Sequence, residues 1–306
     1  MRSPMSISGR VLALGLLATL LPACSIKKIA VNKLGDALAG TGSSFSSDDD
    51  PELVGEAIPF GLKTMEALLE ESPRHEGLLL ATCSGFVQYA YGWVQLEADY
   101  VEETSLARAT HMRERARKLY LRARDYGIRG LEVDHPGLRA AMSQDPVAAL
   151  ARMKKKDVPL LYWTAVAWAG AMSLKINDPE VTADQRIVDA LARRALDLDP
   201  SWELGSIHEF FVSWESGRSS IGGSTEKALE HYQEALRLSR GLKASPYVTY
   251  AESVCVPEQE RASFTAALEK ALAVDATRPN EQRLANVLMH ERARWLLARV
   301  DEYFIE

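Results

Sequence analysis

The chain has 306 residues, 47% of them hydrophobic, with 36 Lys and Arg against 42 Asp and Glu for a net charge of −6. That much apolar material is ample for one large domain or two ordinary ones. So acidic a chain is not expected to bind nucleic acid, because phosphate contacts supply most of that affinity.

Arg2 and Arg10 are the only charges ahead of an apolar stretch, Val11 to Leu21, interrupted by Gly15 and Thr19. A positive start and about 11 apolar residues have the build of an export signal. The stretch falls short of the roughly 20 residues that span a bilayer core. Leu21-Pro22-Ala23-Cys24 follows, and it resembles the bacterial lipoprotein box. The resemblance implies that residues 1–23 are a removed signal peptide and that Cys24 carries acyl chains. Each buried methylene then contributes about 0.8 kcal/mol to anchoring. Ser25 stands where an aspartate would signal inner-membrane retention, which favours the outer membrane. Without residues 1–23 the chain keeps 34 basic and 42 acidic residues, a net of −8.

Residues 24–50 read as a lipidated segment and linker. "SIKKIAVNKLGDALAG" places Ile26, Ile29, Ala30, Leu34, Ala37 and Leu38 on one side of a helix, and "TGSSFSSDDD" is polar. Asp50 before Pro51 is an N-cap with proline at the first helical position. Residues 51–306 then form one helical domain, with helices expected at 51–72 (bent at Pro59), 75–98, 104–126, 145–154, 158–176, 181–198, 202–215, 224–240, 246–255, 258–274 and 279–303. No segment alternates apolar and polar for long. The fold class is all-α.

The helices recur as pairs with a tetratricopeptide-like pattern of small, aromatic and small residues. "ARKLYLRA" supplies Ala116, Tyr120 and Ala123, and "ALEHYQEA" supplies Ala228, Tyr232 and Ala235. "RRALDLDP" gives Ala192, Ala195 and Pro200, and "LLEESP" ends at Pro73. Small residues let paired helices approach, an aromatic ring fills the gap, and proline ends the helix. The intervals are uneven, so the expected architecture is a compact α-solenoid or bundle of irregular helical-hairpin repeats.

Seven blocks carry a family resemblance: "SIKKIAVNKLGDALAG", "AIPFGLKTMEALLEESPRH", "LLLATCSGFVQYAYG", "VPLLYWTAVAWAGAMSL", "DPSWELGSIHEFF", "GGSTEKALEHYQEALRLSRG" and "RARWLLARVDEYF". In this order they resemble the T component of tetratricopeptide-associated TRAP transporters, the tripartite ATP-independent periplasmic systems. The resemblance implies a periplasmic, lipid-anchored homotrimer. It further implies docking of a substrate-binding P component beside a membrane permease, with no transferable catalytic residues and no cofactor.

The motifs of catalysis are incomplete. "GRSSIGGST" has Gly217, Gly222 and Ser224 at phosphate-loop spacing, but Gly223 replaces the lysine that meets the β- and γ-phosphates. Ser224 therefore reads as the N-cap of the next helix. His75-Glu76, His208-Glu209 and His290-Glu291 each lack the second histidine of a zinc helix. The periplasm would allow Cys83 and Cys255 to pair, while both sit in apolar segments where a free thiol packs as a small hydrophobe. The chain is not expected to be an enzyme.

Residues 77–96, "GLLLATCSGFVQYAYGWVQL", contain no charge. Gly85 and Gly92 form a small face, and Phe86, Tyr89 and Trp93 a packing face. Ser84, Gln88, Tyr91 and Gln95 fall in another line at i, i+4, i+7 and i+11. Polar groups on a mostly buried helix need partners, at about 1–3 kcal/mol for each one left without. They either bond to neighbouring helices or line a cleft or pore for a small organic ligand. Residues 158–172 read as a central buried helix on which Trp163 and Trp168, five apart, cannot face one groove. In "WELGSIHEFFVSW", Ile207, Phe210, Phe211 and Trp214 form the packing face, with Trp202 and Glu209 on another side. Trp163, Trp168, Trp202 and Glu209 join the cleft candidates. A helical scaffold that touches no solute is the competing reading.

Overall fold

Asp50 Oδ1 accepts the Leu53 N–H at 3.0 Å and Pro51 opens the first long helix, α1 (Pro51–Glu71), which continues through Pro59. The structure is a computed structural model and describes residues 32–37, 40, 42–175, 179–218 and 222–305. Cys24 and the signal stretch lie outside the described residues. No strand occurs among the described residues, so the fold is all-α.

After α1 come α2 (Glu76–Tyr89), prolonged by a π-helical stretch, Ala90–Gln95, and by Leu96–Val101, and α3 (Leu106–Asp134). Two short helices, α4 (Leu138–Gln144) and α5 (Pro146–Leu150), lead to α6 (Val158–Ser173). Then follow α7 (Pro179–Leu198), α8 (Trp202–Ser216) and α9 (Thr225–Ser239). The chain finishes with α10 (Ser245–Tyr250), prolonged by a second π-helical stretch, Ala251–Cys255, and with α11 (Arg261–Leu272), α12 (Arg283–Leu297) and α13 (Val300–Tyr303). Ser224 caps α9, its side chain accepting the Lys227 N–H at 3.3 Å.

The expected buried helix is α6, packed against α2, α3 and α7. Val158, Leu161, Thr164 and Ala167 are fully enclosed. Ala116, Tyr120 and Ala123 of α3 are buried, and a Cβ on Gly170 of α6 would stand 2.8 Å from the Tyr120 ring. Ala228 and Ala235 of α9 are buried against α8, while Tyr232 stacks on Tyr250 with ring centroids 4.2 Å apart. Small residues thus admit the facing helix at both pairs. Gly85 and Gly92 meet different neighbours, Leu62 of α1 and Leu288 of α12.

The last helices return to the first. Arg292 of α12 binds Asp99, Arg299 binds Glu103, and Arg283 binds Asp49. Cys83 and Cys255 are both buried and free.

The N-terminal segment differs from its expected amphipathic packing. Residues 32–37 are helical, but Leu34 is half exposed and Ala37 is exposed. Gly35 faces the domain instead, because a Cβ there would stand 2.7 Å from Leu78 Cδ1, and only glycine lets the backbone come so close.

Candidate functional site

The π-helical stretch of α2 decides where the polar line goes. Each residue of an α-helix advances by a fixed angle, and the wider π turn from Ala90 to Gln95 breaks that count. Ser84 and Gln88 precede it, whereas Tyr91 and Gln95 lie within it. Ser84 Oγ donates to the Ala81 carbonyl of its own helix at 3.3 Å, and Gln88 is exposed. Gln95 Oε1 accepts from Tyr120 Oη of α3 at 2.8 Å. Ser84 thus bonds within its own helix, Gln88 faces solvent, and Gln95 bonds to α3.

Tyr91 faces an ionic cluster at the closure of the fold. Arg292 Nη2 donates to Glu252 at 2.6 Å and to Asp99 at 3.0 Å. The guanidinium also lies over the Trp295 and Tyr100 rings, 4.6 and 5.7 Å from their centroids. Burial, followed by the nearby Glu252 charge, pushes the Tyr91 hydroxyl far above its ordinary range, with Arg292 opposing. Burial likewise raises Glu252, again against Arg292, although 28% of that side chain still reaches solvent.

A second group surrounds Tyr162 of α6. Its ring lies 5.1 Å from Trp163 and 4.7 Å from Trp202. Burial first, then the Glu209 and Glu203 carboxylates, pushes its hydroxyl far upward. Glu209 Oε2 accepts from Lys243 Nζ at 2.7 Å, and the same ammonium donates to Ser206 Oγ at 2.9 Å. Lys243 is buried and Glu209 nearly so, so each stabilises the other's charge.

The backbone entering α8 is strained at this point. Glu203, Leu204 and Gly205 are successively left-handed, with φ of 46°, 55° and 87°. Only glycine adopts that region freely, and a leucine there costs about 1–2 kcal/mol. Gly205 also sits tightly on α9, where a Cβ would be 2.9 Å from Leu238 Cβ. The turn sets Trp202 beside Tyr162 and aims Ser206 at Lys243.

Trp163, Trp202 and Glu209 thus come together around Tyr162, and Tyr91 stands with Arg292 and Glu252. Trp168 belongs to neither group, since its Nε1 donates to Asp184 Oδ2 at 2.8 Å and Arg124 covers its ring. Tyr162, Lys243, Glu252 and Arg292 escape the sequence reading. Glu252 had a signal, as the one charge in "SPYVTYAESVCV"; Lys243 had none. Among the described residues no three His, Cys, Asp or Glu side chains converge as a metal site.

Residues 47–304 match the model of the TRAP transporter T-component family. The chain belongs to that family. An uncharacterized protein of Treponema pallidum strain Nichols is 31% identical over 302 residues, covering 92% of this chain and 94% of its own. This T component is therefore an accessory component of a TRAP transporter, and membership implies association with transporter partners. No helix among its described residues is long and apolar enough to cross a membrane.

Proposed function

We propose that this T component is a lipid-anchored periplasmic homotrimer that docks the substrate-binding P component. Residues 1–23 are its export signal, Cys24 its acylated first residue, residues 24–50 a tether and residues 51–306 the working domain. The tether holds the docking surface on the periplasmic face of the membrane that carries the anchor, the outer membrane by the residue after Cys24.

The aromatic and ionic group around Tyr162 contacts a small organic ligand in passage. The observation that carries this reading is the convergence of Trp163, Trp202 and Glu209 from two helices on Tyr162, beside the buried Lys243. Apolar walls with a few fixed polar groups are what small-molecule sites share, and the left-handed turn that maintains this one stores strain of the kind found at such sites.

Metabolic labelling with palmitate tests the anchor. Label is expected in the wild type and absent in Cys24→Ser; an unlabelled wild-type protein released in soluble form contradicts it. For the group around Tyr162, Trp202→Ala is expected to fold and to depress uptake. Full uptake in that variant favours the scaffold that touches no solute.

A further inference from the structure

The described chain enters at one end of the fold, and a basic loop lies at that end. Ser72 Oγ, in the α1–α2 turn, donates to Asn32 Oδ1 at 2.7 Å. Arg74 of the same turn donates to the Val133 carbonyl at 2.7 Å and ties the turn to the C-terminal end of α3. The next residue there, Asp134, binds Lys156, and His135 Nε2 lies 3.3 Å from Asp157 Oδ2. The Ala151–Asp157 loop therefore belongs to the end where Asn32 docks.

Arg152, Lys154, Lys155 and Lys156 of this loop are all exposed. Asp134 engages Lys156, and Asp199 engages Lys155 at 3.0 Å. Arg152, Lys154 and the exposed Lys33 carry no salt bridge among the described residues. In a chain of net charge −6, residues 151–157 hold four cations against one carboxylate, Asp157.

The tether fixes what such charge can meet. Asn32 lies only eight positions after Cys24, a reach of about 28 Å at full extension. Lys27 and Lys28 fall within it. The opposite end of α3, at Leu106, is about 42 Å farther off at 1.5 Å per residue. An acylated Cys24 thus holds the loop, and not the far end, against the bilayer.

We propose that Arg152 and Lys154 rest on anionic phospholipid headgroups, with Lys33 at the same end of the fold, so that charge acts as a second anchoring signal beside the acyl chains. The proposal rests on the lipid-anchor reading above. It sets the orientation of the whole domain on the membrane.

The test uses the acylated chain carrying Ala151→Cys or Leu106→Cys, each labelled with a fluorophore; both positions are exposed, and the native Cys83 and Cys255 are buried. Vesicles contain phosphatidylethanolamine with either phosphatidylglycerol or phosphatidylcholine, plus a lipid bearing a headgroup nitroxide. With phosphatidylglycerol, quenching at position 151 is expected to exceed that at 106 several-fold. The excess should shrink several-fold with phosphatidylcholine, in about 0.5 M salt, where screening is strong, and in Arg152→Ser/Lys154→Ser, leaving only what the tether alone supplies. Vesicle flotation separates two failures. A chain that does not float loses the anchor, and the proposal falls with it. A chain that floats but is quenched equally at both positions, or indifferently to lipid charge and salt, keeps the anchor and overturns the headgroup contact.

Discussion

Arg292 bonds to Asp99, 193 positions earlier in the chain, at 3.0 Å. With Glu252 on the third side, this cation joins α2, α10 and α12 and closes the fold on itself. Removing one partner of a buried ionic group leaves the others uncompensated. Arg292→Met should therefore lower stability by about 3 kcal/mol, the low end for buried pairs because Asp99 and Glu252 keep some solvent. Arg299→Met breaks a pair with the exposed Glu103 and should leave stability nearly unchanged. Urea melts of the two variants check the contrast.

Acid should weaken the α8–α9 contact. His208 Nδ1 and His231 Nδ1 lie 2.9 Å apart, with the Phe211 ring stacked on His231. Burial and then the neighbouring His208 push His231 down to about 4, and burial lowers His208. Glu234, Arg237, Glu215, Arg193 and Lys227 are the charges facing the pair. Both histidines are neutral when folded, whereas an unfolded histidine gains its proton near pH 6.5. Their stabilisation is complete above that pH and is lost as pH falls from 6.5 toward 4. Melts of wild type and His231→Phe at pH 7 and 4.5 should show the wild type losing about 2 kcal/mol more. Equal losses would place both rings in water.

Gln88 and Gln95 should behave differently. Gln95→Leu strands the buried Tyr120 hydroxyl and should cost about 1–3 kcal/mol. Gln88→Leu changes an exposed side chain and should stay within about 0.5 kcal/mol. A stable Gln95→Leu protein with failing uptake would return Gln95 to the solute path.

The left-handed entry to α8 gives an opposed pair. Leu204→Gly relieves a residue held at φ 55° and should leave stability level or raise it by up to about 1 kcal/mol. Gly205→Ala puts a Cβ at φ 87° against Leu238 and should destabilise by more than about 1 kcal/mol. Thermal melts decide both.

Helices, caps and the buried face of α6 were legible because each follows from local pattern: Asp50-Pro51, Ser224, and an apolar run with no polar side. The end of α3 was not. The sequence reading ends this helix at 126, yet it runs through Gly127 and Gly130 to Asp134. A Cβ on Gly127 would stand 2.2 Å from Thr164 Oγ1, and one on Gly130 would stand 2.6 Å from Leu160 Cδ2. These glycines admit α6 and do not break α3, a distinction that depends on a helix some thirty residues away. The π-helical stretches were equally hidden, since they differ from α-helix only in which carbonyl each N–H reaches. Trp163, Trp202 and Glu209 were identifiable by residue type and face. Lys243 and Arg292 were not, because their partners lie 34 and 193 positions off.

Docking of the P component is the central claim, and light scattering on a size-exclusion column tests it most directly. The working domain without residues 1–24 is mixed with the P component of the same transporter. The account predicts a species three protomers in mass that takes up P component and elutes earlier than either protein alone. A monomer that elutes independently of the P component at tens of micromolar, a concentration that reveals even weak pairs, would contradict it.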